Sequence, residues 1–163
     1  MFDIVFAHGL EGSPTGRKIS MLRSAGLTVL APDGRGLCLA DRVKGIEAVL
    51  NEVPVVLAGS SYGGLAAAYL AEQYTDRLAG LLLLAPALHI SEAPVADSAI
   101  LRPPASLPTT VIHGLSDTVV PVAVSQRYCD NSHARMIAVD DDHRLAQSLS
   151  LILSETQRLL GLS

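Results

Sequence analysis

Short apolar runs alternate along the chain with longer stretches in which apolar and polar residues mix. A run of four to eight apolar residues closed by turn-forming residues is what a strand buried on both faces requires, and the mixed stretches carry the apolar stripe of a helix packed on such a strand. The runs fall at residues 3–7, 27–31, 53–58, 78–84, 109–113 and 135–139. Helices are expected to begin near Pro14, Leu39, Tyr62, Val122 and His143, the first opened by Ser13 as N-cap with Pro14 next to it. This alternation predicts an α/β fold, a doubly wound, six-stranded parallel sheet with helices on both faces; the strand order expected of that sheet is 2-1-3-4-5-6.

Every run but the last ends in a marked break, in turn His8-Gly9, Pro32-Asp33-Gly34, Gly59-Ser60-Ser61, Ala85-Pro86 and His113-Gly114. Ligands of open α/β sheets bind outside the carboxyl ends of the strands, so the chemistry is expected where these breaks converge. Residues 86–108 carry five prolines and little periodicity, and read as an irregular excursion with room for one short helix. It is too small to be a domain, and no repeat or linker divides the chain. One domain over residues 1–163 is expected.

With 49% hydrophobic residues but only 4% aromatics and no Trp, the core must be built from Leu, Val, Ile and Ala. A net charge of −4 without a run of Lys or Arg argues against nucleic acid and membrane surfaces as partners. Cys38 and Cys129 lack metal-ligand or redox spacing and read as free thiols of a reducing compartment. Residues 2–7 have no basic flank and are too short for a signal-peptide core, and the most apolar stretch, residues 78–90, is broken by Pro86 before the ~20 residues of a membrane helix. A cytoplasmic protein is expected.

Gly59-Ser60-Ser61-Tyr62-Gly63 matches Gly-x-Ser-x-Gly between a strand-like and a helix-like segment, the setting of a nucleophile elbow. The sharp turn would expose the Ser61 hydroxyl at a helix N-terminus, where free N–H groups favour a developing negative charge and the Tyr62 N–H is one donor. Ser60 competes for the role, but the glycine spacing favours Ser61. A serine hydroxyl needs a base, and the base a group that holds its tautomer. His143 after the sixth run and Asp117 after the fifth supply them, in the order Ser, Asp, His. Asp142 adjoins His143, yet sequence neighbours rarely meet across a ring nitrogen.

With these motifs the chain resembles the α/β-hydrolase family, and within it very short members such as the YqiA-like esterases. The resemblance implies that the elbow serine, the aspartate of the His113-Gly114-Leu115-Ser116-Asp117-Thr118-Val119-Val120-Pro121 block and the last-loop histidine form a catalytic triad: Ser61, Asp117 and His143. His8-Gly9-Leu10-Glu11-Gly12-Ser13-Pro14 is similar to the family's oxyanion loop, which makes the Leu10 N–H the second donor. It implies hydrolysis of a small-molecule ester through an acyl-enzyme, with no metal or organic cofactor. A thioesterase, a peptidase or a hydrolase-fold binding protein without turnover are the alternatives.

Where the family has Gly or Asn before the histidine and often an aromatic after it, this chain has Asp140, Asp141, Asp142 and Arg144. The three aspartates are read as exposed charges that favour the imidazolium. The family's cap would lie between the fourth and fifth strands, where only the proline-rich excursion stands. His8 and His113 are expected to order their loops, His89 and His133 to be surface or loop residues, and Arg35 to sit in a solvated turn rather than bind an anion.

Overall fold

The computed structural model describes residues 1–162, so Ser163, the last residue of the expected domain, lies outside the described residues. In chain order the elements are β1 (Ile4–Ala7), α1 (Arg17–Ser24), β2 (Val29–Leu30), α2 (Leu39–Glu47), β3 (Val55–Ser60), α3 (Tyr62–Gln73), β4 (Leu78–Leu84), β5 (Thr109–Gly114), α4 (Val122–Cys129), β6 (Arg135–Val139) and α5 (Leu149–Leu159). The strands form one parallel sheet, as the alternation predicts, in the expected order β2-β1-β3-β4-β5-β6.

Side chains of a strand alternate between its faces, and the core divides accordingly. Val5, Ala7, Leu57, Leu81, Leu83 and Val111 meet α2, α3 and α4 on one side. Ile4, Phe6, Val56, Ala58, Leu82, Leu84 and Ile112 meet α1 and α5 on the other, through Ile19, Leu22, Ile152 and Leu159. Fully burying an aliphatic side chain is worth about 1.5–3 kcal/mol, so these mostly aliphatic layers need few aromatics beside Phe6, Tyr62 and Tyr128. Among the described residues no helix is long and apolar enough to cross a membrane.

Four elements depart from the sequence expectation by two residues or more, each for a local reason. The first helix starts at Arg17 rather than near Pro14, because the Gly16 N–H donates to Ser13 O (3.1 Å) and closes a turn first. The second strand shrinks to Val29–Leu30, since the Asp3 carboxylate takes the Thr28 N–H (2.8 Å) that a longer ladder would use. The third begins at Val55, after exposed Val53 and Pro54, which has no N–H to give. The last helix begins at Leu149, six residues after His143, because Leu145 adopts φ 53° and the intervening chain is engaged by Asp141.

The excursion between β4 and β5 contains only a 3-10 turn, Ser98–Ile100, and packs Val95, Leu101 and Leu107 into the core. It adds no cap domain. At the other side of the sheet edge, α3 presses its first turn against the end of β1: a Cβ on Gly63 would lie 2.2 Å from Ala7 O and 2.5 Å from His8 O. That approach brings the loop after β1 beside the start of α3. Gly63→Ala should therefore cost about 1–3 kcal/mol or more of stability by forcing the two apart, read from urea denaturation midpoints. An alanine variant as stable as the parent would mean the contact yields without cost.

Candidate active site

The breaks after β1, β3, β5 and β6 meet at one edge of the sheet, and the residues singled out by sequence meet with them. Ser61 stands between β3 and α3 with φ 54° and ψ −117°, a conformation that costs a non-glycine residue on the order of 1–3 kcal/mol. Its backbone is held on both sides. The Ser61 N–H donates to Leu84 O (2.9 Å), and Ser61 O accepts from the Ala87 N–H (2.9 Å) and the Leu65 N–H (3.2 Å). The surrounding chain therefore enforces the turn that presents the side chain.

Ser61 Oγ lies 2.9 Å from His143 Nε2, and His143 Nδ1 lies 2.7 Å from Asp117 Oδ2. A carboxylate only accepts, so Nδ1 carries the proton and Nε2 is left to accept from the serine hydroxyl. The other oxygen of Asp117, Oδ1, accepts the N–H groups of Val119 and Val120 (2.8 Å each). Burial alone would raise the Asp117 carboxyl, but the hydrogen bonds from Val120, His143 and Val119 outweigh it and hold the group below the usual carboxylate range. It stays ionised and fixed.

His113 backs this aspartate. Its Nε2 donates to Val120 O (2.8 Å) and lies 3.2 Å from Asp117 Oδ2, while Nδ1 lies 2.7 Å from Ser125 Oγ. The N–H must be on Nε2, since the carbonyl cannot donate, so Ser125 donates to Nδ1. His113 orders its loop, as expected, and touches the acid as well. Neither the Leu10 N–H nor the Tyr62 N–H has a protein acceptor among the described residues, so both are free to bind a substrate oxygen. The arrangement can activate a hydroxyl and stabilise the anion formed when it attacks a carbonyl.

A model of the alpha/beta hydrolase family matches residues 4–157. The chain belongs to that family. Among solved structures, it is 26% identical to a protein of the alpha/beta hydrolase superfamily from Xanthomonas campestris pv. campestris, at a TM-score of 0.81 over 99% of both chains. The monoacylglycerol lipase of Paleococcus ferrophilus shares the fold at 18% identity and a TM-score of 0.77, over 98% of this chain and 94% of that one. Est1E from Butyrivibrio proteoclasticus does so at 21% and 0.72, over 96% and 86%. None of the curated proteins compared with it is a match.

The remaining expectations resolve one by one. Arg35 is spent on its neighbour: it pairs with Asp33 (2.7 Å), whose carboxyl this hydrogen bond lowers to about 2, in an exposed turn. His8 donates from Nδ1 to Gly9 O and accepts the Gly34 N–H on Nε2, ordering its loop. His133 donates to Leu107 O, and His89 is exposed. Cys38 and Cys129 are free thiols, the latter pushed up to about 11 by burial. Among the described residues no three His, Cys, Asp or Glu side chains are placed to hold a metal ion.

The acidic run departs from expectation. Asp140 and Asp142 are exposed, but Asp141 is buried, at 8% exposure. Its Oδ2 accepts from Ser148 Oγ (2.8 Å) and the Gln147 N–H (2.9 Å), and its Oδ1 from the Asp142 N–H (2.8 Å). Asp141 thus folds the loop carrying His143 instead of acting as a solvated charge, and Asp142 accepts the Arg144 N–H (2.9 Å). Sequence reasoning missed this and two further residues, Arg42 and Glu92. Arg42 had a signal: it occupies the stripe formed by Leu39, Val43 and Ile46, all buried, on α2. Glu92, in the proline-rich excursion, had none.

Burial by itself would raise Asp141, but the Ser148, Asp142 and Gln147 hydrogen bonds prevail and lower it. A carboxyl lowered on folding contributes stability above its unfolded value of about 3.9 and loses it as pH falls through the lower folded value. Asp141→Ala should thus lower stability by about 1–3 kcal/mol at pH 7, with the gap narrowing as the pH is brought below 4. Urea titrations of both proteins across that range measure it. A gap independent of pH would mean the carboxylate's charge plays no part.

Proposed function

We propose that the chain is a serine hydrolase that cleaves small carboxylic esters through an acyl-enzyme on Ser61. The observation that carries this reading is the continuous relay from Ser61 Oγ through His143 to the buried Asp117, at 2.9 and 2.7 Å, built on a strained residue that the fold holds in place. His143 takes the Ser61 proton as Oγ attacks the ester carbonyl, and Asp117 fixes the ring tautomer and stabilises the imidazolium. The oxyanion is received by the Leu10 and Tyr62 N–H groups. His143 then protonates the leaving alcohol, and a water activated by the same base releases the acid.

Ester rather than amide chemistry is favoured by the lipase and esterase names among the structures that share the fold. Small substrates are favoured by the open site: no cap covers it, and exposed Leu10, Leu115 and Val119 on the loops after β1 and β5 offer an apolar rim rather than a tunnel. The chemistry calls for residues 1–163 to act as one domain and for no metal or organic cofactor.

Ser61→Ala should abolish turnover of p-nitrophenyl esters and labelling by a fluorophosphonate while leaving the circular dichroism unchanged, whereas Ser60→Ala should keep most activity. Label found on Ser60 would move the nucleophile. Asp117→Asn should lower kcat by on the order of 10²–10⁴-fold, and Asp142→Asn by far less. Across p-nitrophenyl acetate to palmitate, kcat/KM should fall with acyl length. A rise towards palmitate would overturn the small-ester assignment, and faster cleavage of a thioester or anilide of the same acyl group would reassign the leaving group.

A further inference from the structure

α2 carries one charged group into the core. Arg42 is only 4% exposed, and among the described residues no carboxylate lies within 4 Å of its guanidinium. Burying a cation without a close counter-ion is costly, so its hydrogen bonds must compensate. They all go to backbone carbonyls: Nη1 donates to His8 O (2.6 Å), Nη2 reaches Gly9 O (3.4 Å) and Nε reaches Leu37 O (3.4 Å). The guanidinium also lies 4.9 Å from the centre of the Tyr62 ring, a cation–π contact.

Gly9 O is the focus of this cluster. Besides Arg42 it accepts the Nδ1–H of His8 (2.8 Å) and the N–H of Gly12 (3.1 Å). Gly9 O and the Leu10 N–H belong to the same peptide unit, which is planar and trans, so the two point in opposite directions. Whatever holds the carbonyl therefore aims the N–H. Nothing else on Leu10 does so, since its side chain is 62% exposed and its N–H has no protein acceptor. A charged donor on the carbonyl also polarises the peptide and strengthens its N–H as a donor. On the other side, the Tyr62 hydroxyl donates to Glu92 Oε2 (2.7 Å), which also accepts the Leu39 N–H (2.8 Å) at the start of α2. The Tyr62 side chain is thus held from α2 as well.

We propose that Arg42 is a positioning residue, acting with His8, that holds the Gly9 carbonyl so that the Leu10 N–H faces the oxyanion of the substrate. This rests on the serine-hydrolase reading above, in which Leu10 is a donor. Arg42 touches neither the hydroxyl nor the imidazole, so its loss should weaken transition-state binding and leave proton transfer alone.

The test compares Arg42→Met, Arg42→Lys and His8→Phe with the parent on p-nitrophenyl acetate. In Arg42→Met, kcat should fall by about 10- to 10²-fold, less than the full loss of one oxyanion donor, with KM changed less than about threefold and the pH dependence of kcat/KM unmoved. Arg42→Lys should recover part of the loss, and His8→Phe, which removes another donor from the same carbonyl, should show the same split between kcat and KM. Amide NMR reports the aim directly. Formation of the fluorophosphonate adduct should shift the Leu10 and Tyr62 N–H resonances of the parent, and in Arg42→Lys the Leu10 shift should shrink while that of Tyr62 persists. Folded variants with the parent's kcat, a displaced pH profile or an undiminished Leu10 shift would each overturn the proposal. Should Arg42→Met not fold, the Lys and Phe variants decide by the same criteria. A parent protein that takes no label at Ser61 would instead refute the hydrolase reading itself.

Discussion

The site depends on one backbone constraint, the positive φ of Ser61. A serine left free would relax out of it, so the conformation exists only because neighbouring strands and the chain beyond them hold its peptide groups. Leu84, the last residue of β4, takes the N–H, and Ala87, the third residue beyond that strand, supplies a donor to the carbonyl. The parallel pairing of β3 with β4, in register up to Ser60 opposite Leu84, is what delivers both partners to the right place. The sheet therefore does more than carry Ser61 at its edge.

Around that point the two faces of the sheet divide the labour. The side packed by α2, α3 and α4 carries Arg42, Tyr62 and Glu92, and backs Asp117 with His113 and Ser125 on α4. The side packed by α1 and α5 carries the histidine loop, whose Leu145 is buried among Phe6 and Ile152 and whose Asp141 is locked to Ser148. The loop that carries His143 and the residues around Arg42 and Tyr62 are thus supported from different layers. The two sides meet where His143 Nδ1 reaches Asp117 Oδ2 (2.7 Å) and the Ser116 N–H donates to Asp141 O (3.1 Å).

What could be read from sequence was whatever shows as a local pattern. The sixth strand was legible to the residue, because Arg135–Val139 is bounded by polar turns, and the elbow was legible because Gly63 and its neighbours are required by a close approach that no side chain permits. The convergence of Ser61, Asp117 and His143 was legible too, from the order of breaks after apolar runs. Asp141 was not. Three consecutive aspartates look alike in sequence, and which one is buried depends on where Ser148 and Gln147 come to rest once the chain has turned at Leu145. The delayed start of α5 has the same origin, since a helical reading from His143 onward cannot foresee the turn. The role of Arg42 required knowing which carbonyls lie beneath α2, and that information belongs to the tertiary fold.

The excursion between β4 and β5 has a consequence for how such a protein can grow. Its first residues are committed, Ala87 to the Ser61 carbonyl and Glu92 to Tyr62 and Leu39, and its buried Val95 and Leu101 root it in the core. Between those roots Ala96 and Asp97 are exposed. A polypeptide spliced in there would leave both anchors intact, adding chain to the fold without rebuilding the contacts below it. The minimal scaffold is in this sense modular, with its graft point already separated from its machinery by two tethers a few residues apart.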